Sequence, residues 1–135
     1  MFSASDWNQL ETALRNPADL DTFVTAAARI HKEATFEDVS QLTVLLNDDD
    51  ALLREAAAWP LSELVGTPVL RELLKAYQRG LDDGLDDDGF SAALIDLVQV
   101  DPVQSESVLK VLVNEADLKM RDNACWLLEF CVNSL

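Results

Sequence analysis

Apolar residues in this chain recur every three or four positions, in segments separated by Pro, Gly, Asn and runs of Asp. Over residues 51–65 the stripe is Leu53, Ala56, Ala57, Pro60, Leu61 and Leu64; over 117–132 it is Met120, Ala124, Leu127, Leu128 and Cys131. That period places one face of a helix in a core, with Leu61 and Leu128 among the core positions. No stretch alternates with the period of two that a half-buried strand needs, so the predicted class is all-α. Punctuation divides the chain into about eight helices. Ser5 is placed to cap a first helix to about Arg15, and Asn16-Pro17 closes it and opens a second, to about Lys32. Thr35, with Asp38 three residues on, reads as a capping box for a third helix ending near Asn47. Asp48 to Asp50 form a tight acidic turn, and a fourth helix over about 51–65 stops at Gly66. Thr67-Pro68 opens a fifth helix to about Arg79, and 81–89 is the longest loop. A sixth helix then runs to about Gln99, Asp101-Pro102 opens the seventh, and Asp117 caps the eighth. Pro60 removes one backbone hydrogen bond from the fourth helix and is expected to kink it.

Residues 41–65 and 108–132 superimpose without a gap under a shift of 67. Leu42 then meets Leu109, Leu46 meets Val113, Asp50 meets Asp117, Arg54 meets Arg121, Trp59 meets Trp126 and Leu61 meets Leu128. Half of that shift is the length of a helical-hairpin repeat, and Leu94, Leu97 and Val98, 33 places after Leu61, Leu64 and Val65, mark a weaker copy. The expected organisation is a single domain, 1–135, with an N-terminal hairpin over 5–33 and repeats over about 36–66, 68–99 and 102–133.

The repeated phrase, LLNDDDALLREAAAWPLSEL in its better copy, resembles a HEAT repeat of the short bacterial kind also seen in the phycobilisome-lyase-like group. Asp50, Leu53, Arg54, Ala57, Leu61 and Leu64 fit the pattern of acidic turn, aliphatic-Arg pair, small residue and aliphatic end, and Asp117, Met120, Arg121, Ala124, Leu128 and Cys131 fit it again. The middle copy has no counterpart of Arg54. The resemblance implies a right-handed α-solenoid of four helical hairpins. Such solenoids serve as adaptors, scaffolds, inhibitors and occasionally enzymes, so the fold alone does not set the activity. Arg54 and Arg121 are expected to bond carboxylates or carbonyls of the turns in adjacent repeats.

Charge narrows the partners. Ten Lys and Arg against 25 Asp and Glu give a net charge of −15, which repels nucleic acid and anionic lipid. A basic protein partner is what such a field attracts. At 135 residues, with 49% hydrophobic and 26% charged residues, the chain has the composition of one globular domain. The N-terminal MFSASDWNQLETAL carries neither the basic nor the apolar region of a signal peptide, and no apolar run approaches the roughly 20 residues of a membrane span. Cys125 and Cys131 are too few and too regularly spaced for a disulfide framework, so a cytoplasmic location with reduced thiols is expected.

No catalytic constellation emerges from the residue pattern. The acid-rich DDGLDDDG of 82–89 fails as a calcium loop, because taking Gly89 as its sixth position puts Gly84 first and Ile95 twelfth. His31 is the only histidine, which reads as a surface or helix-end residue in preference to a metal ligand or triad member. Neither cysteine belongs to a CxxC pair, and Cys131 falls on the core stripe. No cofactor, metal or catalytic residue is therefore assigned.

Two features point to binding. In a stack of hairpins the turns within hairpins share one edge. Asp48, Asp49, Asp50, Asp82, Asp83, Asp86, Asp87, Asp88, Glu115 and Asp117 all belong to such turns, so ten carboxylates are expected to line a recognition rim. Trp126 and Phe130 lie off the main stripe of the last predicted helix, which no polar capping helix follows, and so are available to a partner or a second copy. Trp59 is expected to pack on a neighbouring repeat. The sharpest functional expectation is a non-catalytic immunity- or antitoxin-like inhibitor of a basic effector such as a nuclease. An adaptor or assembly chaperone, and an enzyme resembling the bilin lyases, are the rivals.

Overall fold

A computed structural model describes residues 1–16, 18–84 and 88–133, with side chains for all of these except 88, 132 and 133. Among the described residues there are eight α-helices and no strand: α1 (Ala4–Leu14), α2 (Leu20–Glu33), α3 (Val39–Leu46), α4 (Ala51–Leu64), α5 (Leu70–Asp82), α6 (Asp88–Val100), α7 (Pro102–Leu112) and α8 (Leu118–Asn133). The all-α expectation holds. Short 3-10 turns at Phe36–Asp38 and Thr67–Val69 lead into α3 and α5.

Local hydrogen bonds explain where the helices start and stop. Ser3, not Ser5, caps α1: its Oγ accepts from the Asp6 N–H at 3.0 Å and its own N–H donates to Asp6 Oδ2 at 3.1 Å. Ser5 is already the second residue of α1, inside the helix that Ser3 caps. Helix α2 begins at Leu20, later than the expected opening at Asn16-Pro17, because Asp19 accepts from the Thr22 N–H at 3.1 Å and sets the cap there; Pro17 lies outside the described residues. The Thr35–Asp38 box forms as expected, with the Thr35 N–H donating to Asp38 at 2.9 Å. Gly66, at φ 79° and ψ −143°, follows the end of α4 in an extended positive-φ conformation open chiefly to glycine. Gly84, at φ 77°, follows α5 and donates its N–H to the Leu81 carbonyl at 3.0 Å; the helix runs to Asp82 and not to Arg79. Asp117 caps α8 through the Lys119 N–H at 3.0 Å. Helix α4 continues through Pro60, which offers no N–H to the carbonyl of Ala56.

The chain divides into two compact units, residues 1–64 and 65–135. In the first, the α1–α2 and α3–α4 hairpins share a core in which Leu14, Ile30, Leu42, Leu53 and Leu61 are fully buried. His31 meets Glu63 at the C-terminal turns of α2 and α4, while Phe23 and Glu55 line the same groove nearer their starts. The two helices therefore run side by side in one direction. At the edge of this unit Phe2 is buried, edge-on to Trp7 at 5.1 Å and under the Arg29 guanidinium at 5.3 Å.

In the second unit Leu70, Leu73, Leu74, Leu94 and Leu109 form the centre. Helix α8 contributes Met120, Ala124, Leu127 and Cys131, all buried. Leu128, expected in this core, is half-buried, because the 4-3-4 spacing through Leu127 is the one that faces inward. Leu64 is likewise half-buried at the end of α4. Helices α5 and α8 run antiparallel, as three contacts in reverse order show: Asp82 with Lys119, Gln78 with Asn123, and Tyr77 with Trp126.

Candidate functional site

The acidic turns are built into the hairpins. Between α3 and α4, Asp48 accepts a two-pronged bond from Arg15, at 3.2 and 2.5 Å, and a third from the Asp50 N–H at 2.8 Å. Asp50 accepts from the Leu52 N–H at 2.9 Å and so helps cap α4. The Arg15 bond, helped by the Asp50 N–H and opposed by burial, which pushes the other way, holds the Asp48 carboxyl below the usual carboxylate range. Arg54 lies beneath this turn, only 2% exposed, and donates from Nη1 to the carbonyls of Asp48 and Asp49, each at 3.0 Å. These carbonyls belong to its own hairpin and not to an adjacent repeat. Arg121, its counterpart in the repeat register, is exposed. The reason lies in the turn: NDDDA and NEADL have different chemistry, and the carboxylate that organises the first, Asp48, aligns with Glu115 in the second.

In the second unit Asp82 accepts from Lys119 Nζ at 2.6 Å and from Gln78 Nε2 at 2.8 Å. The bond to Lys119, then that to Gln78, lowers the Asp82 pKa, and the same ion pair raises that of Lys119. Glu115 pairs with Arg71, and Asp117 caps α8. Arg71 lies one turn after the Gly66-Thr67-Pro68 connection, so both ends of α5 reach the segment from Glu115 to Lys119. Asp49 and Asp83 are exposed. Asp86 and Asp87, and the side chain of Asp88, lie outside the described residues.

Trp126 and Phe130 are half-buried and packed together. Trp126 stacks on Tyr77, with ring centres 5.6 Å apart and planes inclined by 15°, and Phe130 meets Trp126 edge-on at 5.7 Å. Tyr77 also contacts the buried Phe90 at 5.9 Å. The pair thus forms one end of an aromatic row that runs through Tyr77 to Phe90. Cys125 is exposed and Cys131 buried, both free, and burial pushes the Cys131 thiol pKa up. Among the described residues no group of three or more His, Cys, Asp or Glu is arranged to hold a metal ion.

The feature missed in the sequence is a groove between α2 and α4 of the first unit. Its volume is about 300 Å³. Phe23, Val24, Ala27 and Ala28 form one wall, and Ala56, Trp59 and Pro60 the other. Glu55 lies on its border, and His31 closes one end, its Nε2 2.9 Å from Glu63 Oε1 and its ring 6.1 Å from that of Trp59. His31 is thus the helix-end, exposed residue expected, and Trp59 faces the neighbouring hairpin. The available signal was the run Leu20, Phe23, Val24, Ala27, Ala28, an apolar strip wider than Ala26 and Ile30 need for burial.

No protein-family model matches the sequence, and no curated protein or solved structure is significantly similar to it. The HEAT-like resemblance therefore rests on the repeat residues alone. No helix among the described residues is long and apolar enough to cross a membrane.

Proposed function

We propose that this chain is a protein-binding module that recognises a basic partner, most specifically as an acidic inhibitor that occupies the cationic cleft of an effector such as a nuclease. The observation that carries the proposal is how the positive charge of the first unit is used. Residues 1–64 hold twelve Asp and Glu against four Lys and Arg. Arg15 is committed to Asp48, Arg29 to Asp6 and Glu33, and Arg54 is buried against carbonyls. Lys32 is the remaining cation of this unit, so the field outside it is negative and steers cationic surfaces inward. Support for HEAT-like hairpins, part of the same proposal, comes from the parallel course of α2 and α4.

Affinity capture from the native cell with graded salt elution tests this reading. Exposed Asp49 and Asp83 are replaced by Lys in a matched bait whose helix content is checked by circular dichroism. A basic protein retained by the wild type, released by salt and lost from the variant is expected. Identical retention by both baits, or retention of acidic proteins only, contradicts the proposal.

A further inference from the structure

We propose that the α2–α4 groove receives an amphipathic helix of the partner, with two or three large apolar side chains seated in the trough and Lys or Arg along its borders. This inference rests on the protein-binding reading and assigns it a surface. The groove lies between two parallel helices, and its lining extends from Phe23 to His31 on α2. Eight residues of helix span about 12 Å, the length over which a bound helix presents anchors at i, i+3 or i+4, and i+7. Val24 is 54% exposed and Leu20, one turn earlier, 72%, so apolar surface continues past the trough. Both walls are helices, so they offer no ladder of unpaired backbone groups to an extended strand. A helix brings its own backbone satisfied and needs only side-chain contact. A volume of about 300 Å³ accommodates a few side chains and stands at the lower limit for small-ligand pockets.

The borders select the charge of the occupant. Glu55 is the carboxylate in the lining, and beyond the far end Glu63 is bonded to His31, with Lys32 next to it in sequence. With twelve Asp and Glu against four Lys and Arg in residues 1–64, a helix flanked by Lys and Arg approaches a negative field at this groove, and an acidic helix meets repulsion. Trp59 supplies a flat face against which an aliphatic or aromatic anchor can pack.

The test uses the full chain, labelled with nitrogen-15, and two synthetic peptides of equal composition. One places Leu and Phe on a single helical face with Lys and Arg beside them; the other scrambles the order so that no apolar face forms. The ordered peptide is expected to shift the amides of 23–31 and 55–60 and the Trp59 indole, and to bind at least about tenfold more tightly than the scrambled one. Ala28→Arg, at an exposed wall position, is expected to weaken it about tenfold with an unchanged circular dichroism spectrum. Equal binding of both peptides, with shifts confined to 48–50 and 82–83, overturns the groove while leaving the acidic-surface reading in place. Absence of binding by the ordered peptide at millimolar concentration also overturns the groove, and the capture experiment then judges the broader reading alone. Concentration-dependent shifts at the same residues without peptide identify a second copy as the occupant and overturn it equally.

Discussion

Replacing Arg54 by Met keeps the length and apolar contacts of the side chain and removes its guanidinium. Two bonds from a charged donor to the carbonyls of Asp48 and Asp49 are lost, each at 3.0 Å in the native turn. Bonds to charged groups contribute about 1.5–3 kcal/mol each, and a turn that holds the exposed Asp49 can regain water at its carbonyls, which recovers part of the loss. Removing a buried charge also relieves its desolvation, which offsets part of the loss. The expected net destabilisation is about 2–4 kcal/mol, read as a lower urea midpoint at unchanged slope by circular dichroism. Arg121→Met, at the sequence-equivalent but exposed position, is expected to change stability by less than about 0.5 kcal/mol. Equal effects at the two positions, or no measurable effect at Arg54, would refute the argument that a buried arginine organises the first acidic turn.

The same contrast extends to the core. Leu61→Ala, at a fully buried position, is expected to cost about 2–5 kcal/mol, and Leu128→Ala, half-buried, clearly less; urea melts giving the reverse order would show the α8 face to be misplaced. Ser3→Ala removes the side-chain half of the α1 capping box and is expected to cost about 1 kcal/mol, with faster amide exchange confined to the first turn of α1. Asp48 has a folded pKa below its ordinary value of 3.8, so the Arg15–Asp48 contribution is fully present above that pH and is lost as pH falls through the lower folded value. Stability of the wild type should therefore decline more steeply below pH 4 than that of Asp48→Asn; parallel acid profiles would show that the ion pair contributes nothing.

Helix identity was legible because its determinants are local. The Thr35–Asp38 box, the Asp117 cap and the Gly66 stop each involve residues within one turn, and the three-four stripe names Leu53, Leu61 and Ala124 as core. Ser3 was legible too, since Asp6 stands three residues on, and the choice of Ser5 overlooked that reciprocity. The end of α5 was misplaced because its stop, Gly84, sits inside an acid-rich run that reads as loop. Long-range pairings were not legible. Identical Leu/Met-Arg-x-x-(Ala) phrases leave Arg54 buried and Arg121 exposed, since the outcome depends on turn carbonyls and on Arg15, 33 residues away from Asp48. The carboxylates of 48–50, 82, 115 and 117 were legible as an acidic set, but not their commitment to Arg15, Lys119, Arg71 and helix caps. The α2–α4 groove depends on a contact between residues 32 apart, His31 and Glu63, which no periodicity announces.

The central claim, recognition of a basic protein through an acidic surface, is tested most directly by stopped-flow association with the captured partner across a salt series. Electrostatic steering is screened over about 8–10 Å near physiological ionic strength, so the wild-type association rate should fall steeply as salt rises, and the Asp49→Lys, Asp83→Lys variant should associate more slowly and with a weaker salt dependence. Equal rates for wild type and variant, unchanged by salt, would contradict it.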